Sequence, residues 1–187
     1  MAKIERTLDG NNPVLKIDLA ETLGTDNVPE SVASDIGAAV IQKIISRTQE
    51  ENVDKRDAPF KEYSTSYANS AIFKALGKSE SNINLTGTGE MLDSLSVLNF
   101  DGRILEIGWN DPDQAAKAHG HITGKNGQVP KMKRDFFGLF VSDLTEIAEG
   151  YEGEAPDLRS ELEDDLVNEI LKDLSLSEDR VRALFRE

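Results

Sequence analysis

Histidine is the side chain best suited to moving a proton near neutral pH, and this 187-residue sequence has two, His119 and His121. With Asp111 or Asp113 nearby in sequence, His119 is the natural candidate for a hydrolytic base. An H-x-H pair is also a fragment of many metal sites. Neither reading finds its remaining parts. Two positions apart on a helix, the rings diverge by about 200°, and no third ligand or nucleophile is spaced to join them. The turn Thr86-Gly87-Thr88-Gly89 ahead of a helix can in principle cradle an anion on free backbone N–H groups. It lacks the phosphate-loop pattern with its downstream Lys-Ser/Thr, and Glu90 and Asp93 add negative charge where an anion would sit. A capped turn is the reading. No catalytic, cofactor-binding or metal-ligating residue is therefore assigned. The remaining charged feature is a cluster, Lys131, Lys133 and Arg134, which suits an acidic partner surface or, in a second reading, a phosphate backbone.

Composition narrows the class. A formal charge of −14 and a pI near 4.6 argue against gripping nucleic acid by counterion release, although an acidic wall can line a passage for a polyanion without binding it. The absence of cysteine excludes disulfides and thiolate metal sites. No apolar run approaches the ~18 residues of a membrane span, and the first residues lack the apolar core of a secretion signal. The expectation is a soluble, non-secreted protein.

The elements that must hold these residues can be read in order. Residues 1–27 form an N-terminal arm with one alternating run at 14–19, taken as an edge strand. A helix is expected over 29–50, with Val32, Ile36, Val40 and Ile44 as its stripe and Asn27 and Glu30 as a capping pair. A second helix is expected over 64–76, packed through Tyr67, Ala71, Ile72 and Ala75, with Gly77 closing it. Met91, Leu92 and Leu95 form the inner face of a short helix. Residues 96–109 read as a β-hairpin turning at Asp101-Gly102, followed by a helix over 114–121 capped from residues 110–113. Another helix spans 142–149. Residues 150–187 carry 12 acidic and 5 basic side chains, and Leu158, Leu162, Leu166, Ile170 and Leu174 recur every four residues. The fold class is α+β: a small antiparallel sheet centred on the hairpin and packed by helices, with a core domain over 28–150 and an acidic helical extension over 151–187.

Several phrases in this order resemble the phage virion-morphogenesis and tail-completion family, the neck or head–tail joining proteins similar to the minor tail protein Z group. They are Ala58-Pro59-Phe60 with Tyr63-Ser64-x-x-Tyr67; Leu85-Thr86-x-Thr88-Gly89-x-Met91-Leu92-x-Ser94-Leu95; Ile107-Gly108; Ala115, Ala118, His119 and Gly124; and Val129-Pro130 with Arg134 and Phe136-Phe137-Gly138-Leu139. The likeness covers residues 58–148. It departs from the family pattern in placing Lys131-Met132-Lys133 between Pro130 and Arg134, and in the acidic tail. The resemblance implies a homo-oligomeric ring at the neck of the virion, made in the host cytoplasm. Its neighbours would be portal, connector or adaptor proteins on one side and tail-tube or terminator proteins on the other. Genomic DNA would pass through the lumen without sequence-specific binding, and neither enzymatic activity, cofactor nor membrane is implied. A terminator or adaptor at the same junction, and a DNA-binding module using the Lys131–Arg134 patch, are the alternatives. Interfaces are expected at Lys131, Lys133, Arg134, Phe136, Phe137, Leu162, Leu166 and Ile170.

Overall fold

The computed structural model describes residues 3–80, 83, 85, 88–126, 129, 130 and 132–151. The first two strands, β1 (Lys3–Asp9) and β2 (Asn12–Asp18), form an antiparallel hairpin around Gly10 and Asn11, with Gly10 at φ +57°. Further along, β3 (Leu95–Phe100) and β4 (Ile104–Trp109) form the second hairpin. β2 pairs with β4, Leu15 opposite Ile107, giving a four-stranded antiparallel sheet in the order β1-β2-β4-β3. The fold is α+β. The first residues are thus no detached arm and β2 is no edge strand: it lies between β1 and β4 and buries Leu15 and Ile17 completely.

A short helix, α1 (Leu19–Leu23), leaves β2 directly, capped by the Asp18 carboxylate on the Glu21 amide. The long helix α2 (Glu30–Ser46) buries the expected stripe of Val32, Ile36, Val40 and Ile44. Its start differs from the expected Asn27 cap. Pro29 is the cap residue, with no side-chain bond, because a residue preceding proline is pushed to extended backbone and Val28 separates Asn27 from the first turn. At its other end the helix widens into a π-turn, Arg47–Glu51, closed by Asn52 in the left-handed region at φ +59°.

The expected helix over 64–76 is two pieces, α3 (Thr65–Ala68) and α4 (Ala71–Ala75). Ser64 and Ser70 each adopt extended backbone and accept from an amide three residues on, Tyr67 at 3.3 Å and Phe73 at 3.1 Å. Such local caps compete with a continuous helix. The break rotates the packed face: Ala68 and Phe73 are buried, whereas Ile72 is 66% exposed. Gly77, at φ +61°, follows α4 as expected.

The remaining helices are α5 (Glu90–Asp93), α6 (Pro112–Thr123) and α7 (Val141–Glu149). A two-residue ribbon, β5 (Lys125–Asn126) with β6 (Val129–Pro130), follows α6. Helix α2 crosses β3 and β4, and α6 lies against β2 and β4. Met91, Leu92 and Leu95 are inward as expected. The strict alternation expected in β3 fails at one place. A bulge between Val97 and Asn99 adds a residue, so that Val97 and Phe100, three apart, both pack on the core. The bulge lays Leu98 over Gly108. The turn of this hairpin holds three residues instead of two, with Asp101 accepting from the amides of Arg103 (3.0 Å) and Ile104 (2.6 Å). The helical extension expected over 151–187, with Leu162, Leu166 and Ile170, lies outside the described residues beyond Tyr151.

Candidate functional site

The candidate surfaces are organised by a strap, residues 132–140, which runs without helix or strand to α7 and turns tightly where the Phe136 amide donates to the Arg134 carbonyl at 3.0 Å. Four cationic side chains fasten it. Arg6 of β1 donates to the Asp135 carboxylate and, at 2.9 Å, to the Phe137 carbonyl. Lys55 lies 3.5 Å from Asp135, and burial, reinforced by the neighbouring Arg6, holds its ammonium below the usual lysine range. Arg47, wholly buried at the π-turn, donates to the Gly138 carbonyl and faces Asp143 at 3.6 Å. Arg134, the fourth, belongs to the strap itself. Its guanidinium donates weakly to the Lys61 carbonyl at 3.4 Å, and its backbone amide to the His121 carbonyl at 2.8 Å.

Between these fastenings the strap inserts Phe136 and Phe137 into the core. Both are fully buried, with ring centroids 6.2 and 4.7 Å from that of Trp109. The expectation that this pair presents an interface is corrected: two adjacent aromatics of a strap can both point inward because the strap is not a strand, and pleated alternation does not apply. Arg134 is corrected in the same way. It is 8% exposed, and its guanidinium stacks on the Tyr63 ring at 5.0 Å instead of projecting with Lys133. Lys133 is exposed, and Lys131 lies outside the described residues.

Tyr63 is the centre of a small aromatic cluster. Its ring meets Tyr67 at 5.4 Å and Phe73 at 5.3 Å, and Lys78 sits 5.3 Å from its centroid while donating to its hydroxyl at 3.2 Å. Burial lowers the proton affinity of both Lys78 and Arg134, and at Lys78 the neighbouring Arg134 cation adds to the effect. Two cations beside one ring are tolerable because the π-cloud attracts both. Tyr67 was expected on a packed face, whereas its meeting with Tyr63 and Phe73, and the contribution of Arg134 about seventy residues on, had no local signal.

A second polar surface lies on the sheet face opposite the helices. Lys16 of β2 donates to Glu106 of β4 at 2.6 Å, and the buried Asp18 accepts from Arg103 through two nitrogens, at 2.7 and 3.1 Å. A shallow cavity of about 190 Å³ is lined by Lys3, Glu5, Lys16, Asp101 and Glu106. Charges of both signs interleave here, so the face is neither an acidic wall nor a basic one. The Arg103 fork, followed by the Glu21 amide, holds the Asp18 carboxyl below its ordinary value.

The residues weighed for catalysis are not brought together. The Asp111 carboxylate caps α6 on the amides of Asp113 and Gln114. Asp113 sits six positions before His119 on the same helix, about 9 Å along its axis and off to one side. Among the described residues no group of three or more His, Asp or Glu is placed to hold a metal ion. At the Gly-rich turn, Thr86 and Gly87 lie outside the described residues, but Gly89 caps α5 and the space beside its α-carbon is filled by the Asp93 carboxylate. An anion is already there, supplied by the chain. No family model matches the chain, and neither a curated protein nor a solved structure matches it.

Proposed function

We propose that this protein is a structural subunit of a phage neck, completing the tail or joining it to the head–portal complex as a member of a symmetric ring around the DNA channel. The reading rests on one observation: an ordered set of short phrases between residues 58 and 148 resembles the tail-completion family. Those phrases fall on positions that build the scaffold. Tyr63 and Tyr67 form the aromatic cluster, Ser64 caps α3, Met91, Leu92 and Leu95 fill the core, and Ala115 and Ala118 are buried faces of α6. Phe136 and Phe137 are the strap's inward anchors. Phrases that fall on scaffold positions, with polar surfaces left between the anchors, support an assembly role.

In this reading the subunit touches copies of itself, a portal, connector or adaptor protein, and a tail-tube or terminator protein, while DNA passes without sequence-specific contact. A DNA-binding module is less well supported, because Arg134 stacks inward and leaves the basic patch one cation short. The test is genetic. Particles assembled without this protein are expected as filled heads and free tails in negative stain, and complementation restores joined virions. Joined, infectious particles in its absence would overturn the proposal.

A further inference from the structure

One face runs against the charge of the chain. Residues 61–80 and 132–134 hold Lys61, Lys74, Lys78, Lys133 and Arg134 against only Glu62 and Glu80, in a protein of net charge −14. Three charged side chains are buried among the described residues, Asp18, Arg47 and Arg134. Asp18 has Arg103 at 2.7 Å and Arg47 has Asp143 at 3.6 Å. Arg134 has no carboxylate partner among the described residues; it donates weakly to the Lys61 carbonyl at 3.4 Å, and its Nε has no acceptor. Beside this cluster α4 shows Ile72 and Leu76, four apart and therefore on one face, at 66% and 39% exposure, and Met132 is 36% exposed. Exposed aliphatic side chains bordered by the outward lysines Lys61, Lys74 and Lys133 suit a protein contact with an apolar centre and a charged rim.

A complementary feature lies elsewhere on the same chain. A groove between α2 and α7 has a volume of about 490 Å³ and is lined by Ala39, Ser46, Glu50, Glu146 and Ile147 around the Lys43–Asp143 pair, which is 3.8 Å apart. Asp143 is shared between Lys43 and the buried Arg47, and the groove also presents Glu50 and Glu146, both exposed, beside the apolar Ala39 and Ile147, so its carboxylates outnumber its cations three to two.

We propose that the Tyr63 face of one copy docks into the α2–α7 groove of the next, with Ile72 against Ala39 and Ile147, and with Lys74 facing Glu50 and Glu146. The occupant of each surface is a second copy of this chain, chosen by opposite charge and matching apolar content. Because the two surfaces differ, the contact is head-to-tail, the kind that generates a ring when its rotation closes. This deepens the ring reading and rests on it.

The experiment uses the full chain and two charge reversals at exposed positions, Lys74→Glu and Glu146→Lys, followed by sedimentation velocity, with circular dichroism to check folding. Each variant alone is expected to weaken self-association by about tenfold or more, the equivalent of ~1.4 kcal/mol. An equimolar mixture of the two, and the double variant, are expected to recover it, since each mixed contact again joins opposite charges. Wild-type-like association of both single variants would overturn the docking and leave the ring reading standing. A monomeric wild type that is also dispensable for joining heads to tails would overturn both. Loss of salt-dependent DNA binding in Lys74→Glu, with self-association intact, would assign the cationic face to nucleic acid and sink the proposal.

Discussion

The Phe137 ring lies 4.7 Å from the Trp109 ring, centroid to centroid, although the two residues belong to a strap and a strand separated by a whole helix. Trp109 is held from the other side by its indole N–H, which donates to the Met91 carbonyl at 2.6 Å. Strap, sheet and α5 thus meet at one buried indole. Truncating a fully buried phenyl ring leaves a cavity as well as losing transfer free energy. Phe137→Ala is expected to cost about 3–5 kcal/mol of stability, and Phe137→Leu about 1–2. Urea denaturation measures both; a loss under half a kcal/mol for the alanine variant would restore the pair to the surface.

Asp18 links the end of β2, the cap of α1 and the turn after β3 through Arg103. Its folded proton affinity is depressed by the Arg103 fork first and by the Glu21 amide next. A depressed carboxyl stabilises the fold fully above its unfolded value, about 3.9, and loses that stabilisation as pH falls through the lower folded value. Asp18→Asn is expected to lower stability near neutrality and to flatten its fall below about pH 4. Arg103 is more than half exposed, so the effect is moderate and salt-sensitive. Thermal melts across pH, with unchanged acid sensitivity in the variant, would refute this.

Two glycines are dictated by close approach instead of by turn geometry. A methyl group at Gly108 would lie 2.9 Å from the Pro13 carbonyl oxygen, which is backbone and cannot move aside, and 2.9 Å from Leu98. At Gly37, inside α2, it would lie 2.6 Å from Val97 Cγ2, a branched and stiff neighbour. Alanine would otherwise stabilise a helix interior by about 1 kcal/mol. Overpacking reverses that sign, and each substitution is expected to cost about 1–3 kcal/mol in chemical denaturation. A stabilised Gly37→Ala protein would show that the α2–sheet contact is looser.

Arg47 is 1% exposed and faces Asp143, which also accepts from the Phe140 amide at 3.3 Å. Removing one member of a buried pair leaves an uncompensated charge, so Asp143→Ala is expected to destabilise by about 3 kcal/mol. The double variant Arg47→Met with Asp143→Ala is expected to be the more stable of the two, because the buried cation is then gone. A double-mutant cycle showing simple additivity would remove this pair from the account.

The helical stripe of α2, the hairpin at 96–109, a cap within residues 110–113 and the inward set Met91, Leu92 and Leu95 were legible in residue order, because each depends on neighbours within a few positions. Arg6 hid β1: it occupies an inward position, where it meets Asp135, and so broke the apolar alternation of Ile4 and Leu8. The caps at Ser64 and Ser70 were present as residue types, but their competition with a continuous helix needed geometry to resolve.

Local chemistry, then, determined the elements and the α+β class, since helix and strand periods and turn residues act over a few bonds. Long-range packing alone decided that β2 sits inside the sheet, that Phe136 and Phe137 face Trp109, and that Arg134 stacks on Tyr63. Those outcomes depend on desolvation and charge pairing between segments tens of residues apart, for which no short spacing carries a signal. Phe136 and Phe137, the pair that looked most adhesive in the linear chain, are accordingly core, whereas Ile72 and Leu76 at α4 are exposed.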